Sequence, residues 1–431
     1  MKNNPLVYFE TMGCQMNVAD SRRFIGVLRA HGYTQTDTRA LADLVVLNTC
    51  SVRERAESRA KQRIREYVRE AGEARLVGRH VRVWVVGCMA QRVGDLLKKE
   101  IRGIDCVIGT KDTEAFEQVV AQRLVGDVDY TETASPIAIA GVAELVPVMR
   151  GCDNYCSYCI VPYVRGHEQS VGAQQVYSQI RELVSRGVRE VMLLGQNVNS
   201  YRDGSVDFPA LLAGVNAIDG LERIRFFTSH PKDCTDELIA AVAGLSKICN
   251  HFHLPVQAGS DRILGLMNRK YTRAHYEGLI EKIKRAIPDI DITTDIMVGF
   301  PGETESEFEE TMELVKQTRF TQVYMFAYSK RAGTSAASMT EALSPQEKRA
   351  RLTELVKVQT QITMDHYNAM VGKTCSVLVT ERQNNQEALW MSQDIGCKRV
   401  LIACDRDVTG TILDVQIARS TGMNLIATPV K

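Results

Sequence analysis

From Leu6 to Tyr328, short runs rich in β-branched and other apolar residues alternate with helix-length amphipathic stretches. Such alternation sends each strand back in the same direction over a covering helix, and so predicts parallel α/β sheets. Residues 6–11, 42–49, 80–87 and 104–108 read as strands, with helices over 18–31, 53–74, 91–100 and 113–124. They predict an open parallel α/β sheet domain over residues 1–125, with helices on both faces. Residues 126–144 are polar and irregular and read as a linker. Six more strands are expected at 145–150, 189–194, 223–228, 250–256, 291–298 and 321–328. Six βα units predict a partial TIM-type (β/α)6 barrel over 145–368, which a charged helix, 344–370, leaves. Residues 374–430 lack helical period, and their β-branched runs predict a small all-β barrel over 369–431.

The length of 431 residues supports about three domains at roughly 150 residues each. With 45% hydrophobic and 24% charged residues the chain is ordinary globular material, which excludes wholesale disorder. No apolar run reaches the roughly 18 residues of a membrane helix. Residues 1–10 lack a basic-then-apolar leader, so a cytoplasmic protein is expected. A net charge of +1 argues against a surface wholly built for polyanions and leaves room for a local basic face. Twelve cysteines, in a compartment where disulfides are rare, point to a metal or redox centre.

Two sets of three stand out. Cys152, Cys156 and Cys159 form a C-x3-C-x2-C run directly after a predicted strand. Thiolates on one short loop can converge on a soft metal centre. Zinc would want a fourth ligand; His167 is a candidate, but Pro162 and Gly166 intervene and the spacing fits no common finger. A 4Fe-4S cluster with three protein ligands fits better and leaves one iron open; unrelated buried thiols are the bland alternative. Cys14, Cys50 and Cys88 are 36 and 38 residues apart, yet each follows a predicted strand. Loops after parallel strands share one rim, so these thiols can meet as a second metal site; three unrelated buried thiols are the alternative. Cys106 lies inside a strand and serves as a structural control. Cys234, Cys249, Cys375, Cys397 and Cys404 have no ligand spacing.

The C-x3-C-x2-C loop, with aromatic Tyr158 before its last cysteine, resembles the radical S-adenosylmethionine enzymes. The preceding domain with three separated cysteines and the β-rich tail narrow this to the methylthiotransferases. Gly13-Cys14-Gln15-Met16-Asn17, Asn48-Thr49-Cys50-Ser51-Val52-Arg53 and Gly87-Cys88-Met89-Ala90-Gln91 are similar to the subgroup acting on isopentenylated adenosine in tRNA. Segments 254–260 (LPVQAGS) and 299–304 (GFPGET) fit the superfamily without separating its branches. One departure is Val171, where the family usually has Arg.

The resemblance implies replacement of the carbon-2 hydrogen of isopentenyladenosine, next to the anticodon, by a methylthio group. Two S-adenosylmethionine molecules are consumed, one as methyl donor and one as source of a 5′-deoxyadenosyl radical. Such a route suits an unactivated aromatic carbon, on which acid–base chemistry alone has little hold. Cys152, Cys156 and Cys159 would hold the 4Fe-4S cluster that binds S-adenosylmethionine. Cys14, Cys50 and Cys88 would hold a second cluster carrying the sulfur. Cofactor contacts are expected from Tyr158 and from the strand ends, at Gly195, Gln196, Asn197, Ser229, Gln257, Ser260, Gly299 and Glu303. His230 and His253 read as satisfied core or rim histidines. Further implied partners are tRNA, a flavodoxin-type electron donor and an iron–sulfur or sulfur delivery protein; a monomer is expected.

Residues 53–82 hold ten basic residues against five acidic, and this helix could run along phosphates or be a solvated, internally paired face. The tail resembles a TRAM-type RNA-binding barrel, with seven basic residues facing six acidic from Val371 onward. The competing functions are the same chemistry on another target and a non-catalytic metal-containing RNA-binding module.

Overall fold

The apolar runs form strands and the stretches between them helices, in a computed structural model that describes residues 4–51, 54–111, 114–124, 141–383 and 389–430. The chain divides into two compact units. One comprises Met1–Ile139, Arg150–Asp153 and Cys159–Glu168, the other Ala140–Met149, Asn154–Tyr158 and Gln169–Lys431.

The first unit is built on five parallel strands: β1 (Leu6–Thr11), β2 (Thr34–Gln35), β3 (Leu44–Thr49), β4 (Arg82–Gly87) and β5 (Cys106–Ile108), in the order β2-β1-β3-β4-β5. Helices α1 (Gln15–Ala30), α2 (Glu54–Leu76), α3 (Cys88–Glu100) and α4 (Glu114–Leu124) alternate with them, and α5 (Val161–Arg165) follows later in the chain. Central strand β3 is buried at every position, as a parallel strand covered on both faces must be. Its Val45 and Leu47 pack with Ile64 and Tyr67 of α2 and Met89 of α3. Leu44 and Val46 face the other way, onto Phe24 and Leu28 of α1 and Phe116 of α4. Two boundaries differ from expectation. Helix α3 begins at Cys88 itself, not near Gln91. Of the expected linker, residues 126–140 lie outside the described residues, and Ala143 and Glu144 already belong to a strand. Glu144 read as a linker residue because it is charged; its carboxylate accepts from Gly141 N at 3.3 Å at the strand's start.

The second unit carries the six strands expected: β6 (Ala143–Pro147), β7 (Glu190–Leu194), β8 (Arg223–Phe227), β9 (His251–His253), β10 (Asp291–Val298) and β11 (Gln322–Ala327). They pair in parallel as β6-β7-β8 and β9-β10-β11. A parallel bridge between Ile224 and Ile248 joins the two sets, giving an open partial barrel in sequence order. Strand β9 is shorter than expected because Pro255 has no N–H to give the ladder; Val256 N bonds instead to Thr294 Oγ1 at 2.9 Å. Side chains alternate strictly. Val191, Leu193, Ile224, Phe226, Ile292 and Ile296 are buried beneath the helices. The opposite, inner face presents Met192, Phe227, Asp295, Met297 and Tyr324, each partly exposed, so the barrel interior is open.

Helices α6 (Ala173–Ser185), α7 (Phe208–Asn216), α8 (Asp236–Gly244), α9 (Asp261–Leu266), α10 (Arg273–Ala286) and α11 (Glu305–Thr318) accompany the strands, and α12 (Pro345–Asn368) leaves this sheet. A capping box of Ser344 and Glu347, with Pro345 in the first turn, fixes the start of α12. It leads to a closed five-stranded barrel of β12 (Thr374–Arg382), β13 (Leu389–Asp394), β14 (Arg399–Ala403), β15 (Ile412–Ser420) and β16 (Leu425–Pro429), ordered β12-β13-β14-β16-β15. Val377, Val379, Trp390, Val400, Ile402 and Val415 fill its interior. The turn between β13 and β14 meets the amino-terminal ends of the parallel strands. Arg223 Nη1 donates to Gln393 O at 2.8 Å, and Arg225 Nη2 to Asp394 O at 2.5 Å. Lys398 pairs with Asp291 at 2.5 Å.

Candidate active site

Cys14, Cys50 and Cys88 each follow a strand, and the corners at Cys14 and Cys88 depend on a glycine. Gly13 has φ +120°, and a side chain there would put its Cβ 2.7 Å from Cys50 Cβ and 3.2 Å from the Cys50 sulfur. Gly87, at φ +101°, backs directly onto Asn48 and the Thr49 backbone. The motif Gly-Cys therefore lets the thiol-bearing chain press against its neighbour, where no larger residue fits. Cys14 then becomes the N-cap of α1 and Cys88 the first residue of α3.

Asn17 gathers these corners. Its Oδ1 lies 3.7 Å from Cys14 Sγ and 3.9 Å from Cys88 Sγ, and accepts from Arg165 Nη2 at 3.0 Å. Its Nδ2 donates to Met12 O at 2.9 Å and Thr49 O at 3.0 Å. Asn48 Nδ2 returns a hydrogen bond to Asn17 O at 2.9 Å. Cys50, whose sulfur faces Gly13, completes the group, so the structure brings together three thiols far apart in sequence. Burial pushes the Cys88 thiol up, and the Arg165 guanidinium works against that rise. Among the described residues no three His, Cys, Asp or Glu side chains converge on a single metal point. A zinc ion would require that convergence, whereas an iron–sulfur cube spreads its thiolates over different irons.

The C-x3-C-x2-C run follows a third glycine corner. Gly151 has φ +78° and backs onto the His167 carbonyl, while Cys152 N donates to Gly166 O at 3.1 Å. Cys156 is buried and meets a buried cation: Arg269 Nη1 donates to its Sγ at 3.4 Å. Arg269 also donates to Tyr271 Oη at 2.7 Å and Pro255 O at 2.8 Å. Ser157 N donates to Met267 O at 3.0 Å, which holds the loop against the segment after α9. Tyr158 is half-buried.

At the carboxyl ends of the parallel strands, the positions expected to bind cofactor fall into two kinds. Gln196 Oε1 and Ser229 Oγ, after β7 and β8, are buried polar atoms with no partner among the described residues. Buried polar atoms seldom go unpaired unless a ligand or water meets them. Gly195 packs so close to Met149 and Val198 that a side chain would put its Cβ 2.6 Å from Met149 Cγ. Gln257 is buried at φ +74°. The others are already engaged. Asn197 Nδ2 donates to Asp233 at 2.8 Å, and Ser260 Oγ to Glu307 at 3.3 Å. Glu303 Oε2 accepts from Gly299 N at 2.6 Å and from Arg351 at 2.7 Å, closing the turn and anchoring α12. Gly299, at φ +69°, backs onto the Lys348 side chain.

His230 and His253 are both satisfied. His230 Nδ1 accepts from Lys232 N at 3.2 Å, and His253 Nδ1 lies 3.0 Å from Thr293 Oγ1. His253 stacks on Phe227 with centroids 4.0 Å apart, and Tyr324 stands edge-on to both from the inner face. Val171 keeps its backbone bonds, to Val148 O at 2.8 Å and from Tyr201 Oη at 2.6 Å. The basic helix α2 is paired mostly to its neighbours: Lys61 and Arg65 meet Glu100 of α3, while Arg63 meets Glu66 within the helix. Glu70 pairs with Arg39. Sequence reasoning named Asn17 and Asn48 only as motif letters and missed Arg165 and Arg269. The available signal was their place within a few residues of a cysteine or of the LPVQAGS segment.

Comparison with known proteins adds to this geometry. A model of the radical SAM superfamily matches residues 146–315, and one of the uncharacterized protein family UPF0004 matches residues 6–109. A tRNA-2-methylthio-N(6)-dimethylallyladenosine synthase of Geobacter metallireducens is 42% identical over 99% of this chain and 98% of its own. One of Caldicellulosiruptor saccharolyticus is 45% identical over 89% of this chain and 84% of its own. Among solved structures, the radical S-adenosylmethionine methyltransferase TsrM of Kitasatospora setae superposes with a TM-score of 0.59 at 14% identity, covering 78% of this chain and 77% of that one. The cobalamin-dependent radical enzyme OxsB superposes at 0.55 and 10% identity, covering 83% of this chain and 58% of that one. At such identities the likeness is one of fold.

Proposed function

The chain belongs to the tRNA-2-methylthio-N(6)-dimethylallyladenosine synthase family, and from that premise we propose how its residues divide the work. The enzyme replaces the carbon-2 hydrogen of dimethylallyladenosine, next to the anticodon of tRNA, with a methylthio group. It uses S-adenosylmethionine and a 4Fe-4S cluster. When bound, these supply the electron, the methyl group and the 5′-deoxyadenosyl radical that an aromatic C–H bond demands.

In our reading Cys152, Cys156 and Cys159 hold the 4Fe-4S cluster and leave one iron open for the methionine end of the cofactor. Arg269 secures Cys156 by donating to its sulfur. Gln196 and Ser229 meet the cofactor's polar groups, which gives their buried oxygens the partners they lack. Tyr158, Gly195, Asn197, Gln257, Ser260, Gly299 and Glu303 line or shape the same end of the barrel; Glu303 acts by holding the turn at Gly299. Cys14, Cys50 and Cys88 hold a second cluster that presents the sulfur. Phe227 and Tyr324, on the open inner face, exclude water around the target base.

We assign residues 1–125 to the auxiliary-cluster domain, 126–142 to a linker, 143–368 to the radical core, whose first strand already holds Ala143 and Glu144, and 369–431 to a TRAM-type barrel that binds RNA. A tRNA substrate places the enzyme in the cytoplasm. A flavodoxin-type reductant would supply electrons, and an iron–sulfur or sulfur delivery protein would renew the clusters; the enzyme acts as a monomer.

The observation that carries this reading is the meeting of Cys14, Cys50 and Cys88 around Gly13 and Asn17. Nucleoside mass spectrometry of tRNA from a strain lacking the protein should show loss of the methylthio-dimethylallyl nucleoside; its retention would sink the assignment. With purified enzyme, Cys50→Ala should abolish thiolation and leave reductive cleavage of S-adenosylmethionine, measured as 5′-deoxyadenosine. Joint loss of both would mean that the two thiol sets form one inseparable site.

A further inference from the structure

Arg269 is a cation buried without a carboxylate. It is 8% exposed, and each guanidinium nitrogen has an acceptor. Nε donates to Tyr271 Oη at 2.7 Å, Nη2 to Pro255 O at 2.8 Å and Nη1 to Cys156 Sγ at 3.4 Å. Elsewhere this unit sets buried cations on anions: Arg225 lies on Glu190, Arg351 on Glu303 and Lys398 on Asp291. Arg269 forms no such pair among the described residues; its acceptors are a phenol, a carbonyl and a sulfur. A guanidinium cannot shed its proton to escape burial, and an uncompensated buried charge is costly. The carbonyl is neutral, and burial pushes the Tyr271 hydroxyl up to about 12 and keeps it neutral too. The countercharge therefore has to stand at the sulfur of Cys156.

The guanidinium is not free to turn away. Tyr271 Oη lies 2.9 Å from Val256 O, which fixes the acceptor on one side as Pro255 O does on the other. The preceding residues grip the cysteine loop: Ser157 Oγ donates to Leu266 O at 2.8 Å and Asn268 Nδ2 to Tyr155 O at 2.9 Å. His230 stands edge-on to Tyr271, with centroids 5.6 Å apart. Burial first, and then Arg269 itself, hold His230 neutral, so it adds no second charge. One fixed positive charge thus faces one sulfur, in surroundings too dry to screen it.

We propose that Arg269 sets the reduction potential of the iron–sulfur cluster carried by Cys152, Cys156 and Cys159. This rests on the reading that those three thiols hold a 4Fe-4S cluster. Reduction takes one electron from the enzyme's reductant onto the cluster. No bond forms or breaks and no proton moves, so the cluster with its ligands gains one negative charge. A buried cation bonded to a ligand sulfur stabilises that added charge and raises the potential. Arg269 does not react; it acts through Cys156, making the cluster easier to reduce.

Full-length enzyme carrying Cys50→Ala, which silences the second cluster, is reconstituted anaerobically without S-adenosylmethionine, so that altered cofactor affinity cannot imitate the effect. The electron paramagnetic resonance signal of the reduced cluster is followed against poised potential, and iron per chain is measured on the same samples. Adding Arg269→Met should keep the iron and disfavour reduction about tenfold to a hundredfold, the scale of a hydrogen bond to a charged group. At 59 mV per tenfold for one electron, the midpoint should fall by about 59 to 118 mV. Arg269→Lys should lie between, keeping the charge without the fork. Asn268→Gly releases the grip on the loop while suiting the φ of +58° at that position. It should leave the reduction equilibrium within about twofold, since it removes no charge. An unmoved midpoint in iron-replete Arg269→Met overturns the proposal. An equal fall in Asn268→Gly overturns it as well, because loop placement and not charge would then set the potential. If Arg269→Met takes up no iron, Arg269→Lys decides by the same comparison. Loss of iron in both overturns the proposal, because Arg269 would then build the site. With Arg269 intact, a cluster signal that survives Cys156→Ala would refute the assignment of the three thiols separately, and the proposal with it.

Discussion

The two ends of the six-stranded sheet treat buried polar groups in opposite ways. At the amino-terminal end buried charges are drawn into ion pairs, and Arg223 donates to the carbonyls of Gln393 and Ser376. Arg225 pairs with Glu190 at 3.1 Å, Lys398 with Asp291 at 2.5 Å, and Asp291 also accepts from Cys397 N and Thr321 Oγ1, both at 2.9 Å. At the carboxyl end, Gln196 and Ser229 each bury an oxygen with nothing to bond. Burial works to raise the Asp291 carboxyl, yet Lys398 and these donors hold it below its ordinary range. The closed end has spent its polar groups on cohesion, locking the β13–β14 turn to the sheet. The open end has left the oxygens of Gln196 and Ser229 unspent, although Asn197, Ser260 and Glu303 are engaged there. In a parallel barrel, where ligands bind at strand carboxyl ends, that asymmetry separates residues kept for stability from those kept for chemistry.

The contrast breaks most visibly at the closed end. Lys398→Met leaves Asp291 buried without its cation, so unfolding free energy should fall by about 3–5 kcal/mol. Urea unfolding measures it. A loss under 1 kcal/mol would mean that water reaches Asp291 and that this end is not sealed as described. The open end should respond in the opposite sense. Ser229→Ala removes an oxygen that folding leaves unpaired, so stability should hold or rise by up to about 1 kcal/mol. Affinity of the reconstituted enzyme for S-adenosylmethionine should drop about fivefold, the size of one neutral hydrogen bond. Calorimetry on the cluster-loaded protein reads both effects, and a loss of stability with unchanged cofactor affinity would place Ser229 with the structural residues.

The sequence carried the architecture well because the alternation of apolar runs is a local signal. Strand β3, LVVLNT, reads as a buried parallel strand and is one. The gathering of Cys14, Cys50 and Cys88 followed from strand ends sharing a rim. What closes the rim was not legible. Asn17 acts through contacts with Thr49, 32 residues on, and with Arg165, 148 residues on. No periodicity records such pairings, and an asparagine after a cysteine looks like any turn residue. Glu303 shows the converse. Its place in a glycine-rich turn suggested a ligand contact, but its carboxylate is spent on Gly299 N and Arg351. Local pattern names the turn, and only the fold shows which partner the side chain has already taken.

Helix α2 supplies the finest version of the same contrast, because its charges are paired but exposed. Read as a linear string, the ten basic residues of the span 53–82 suggest a phosphate track. In the fold, Lys61 and Arg65 converge on Glu100 at 2.5 and 2.6 Å, with the Arg65 side chain 55% exposed. An exposed pair is worth at most about 1 kcal/mol, so it neither seals the helix as the buried network seals the sheet nor forbids exchange of partners. Arg65→Gln should therefore cost less than about 1 kcal/mol of stability. If Glu100 keeps Arg65 from the phosphates, the substitution should also leave the salt dependence of tRNA binding unchanged. A phosphate contact would instead contribute about 0.7–0.9 to the slope of log affinity against log salt. Binding measured across a salt series separates the cases: a slope that falls by that amount means that Arg65 abandons Glu100 for the RNA backbone, and the helix is then a docking face after all.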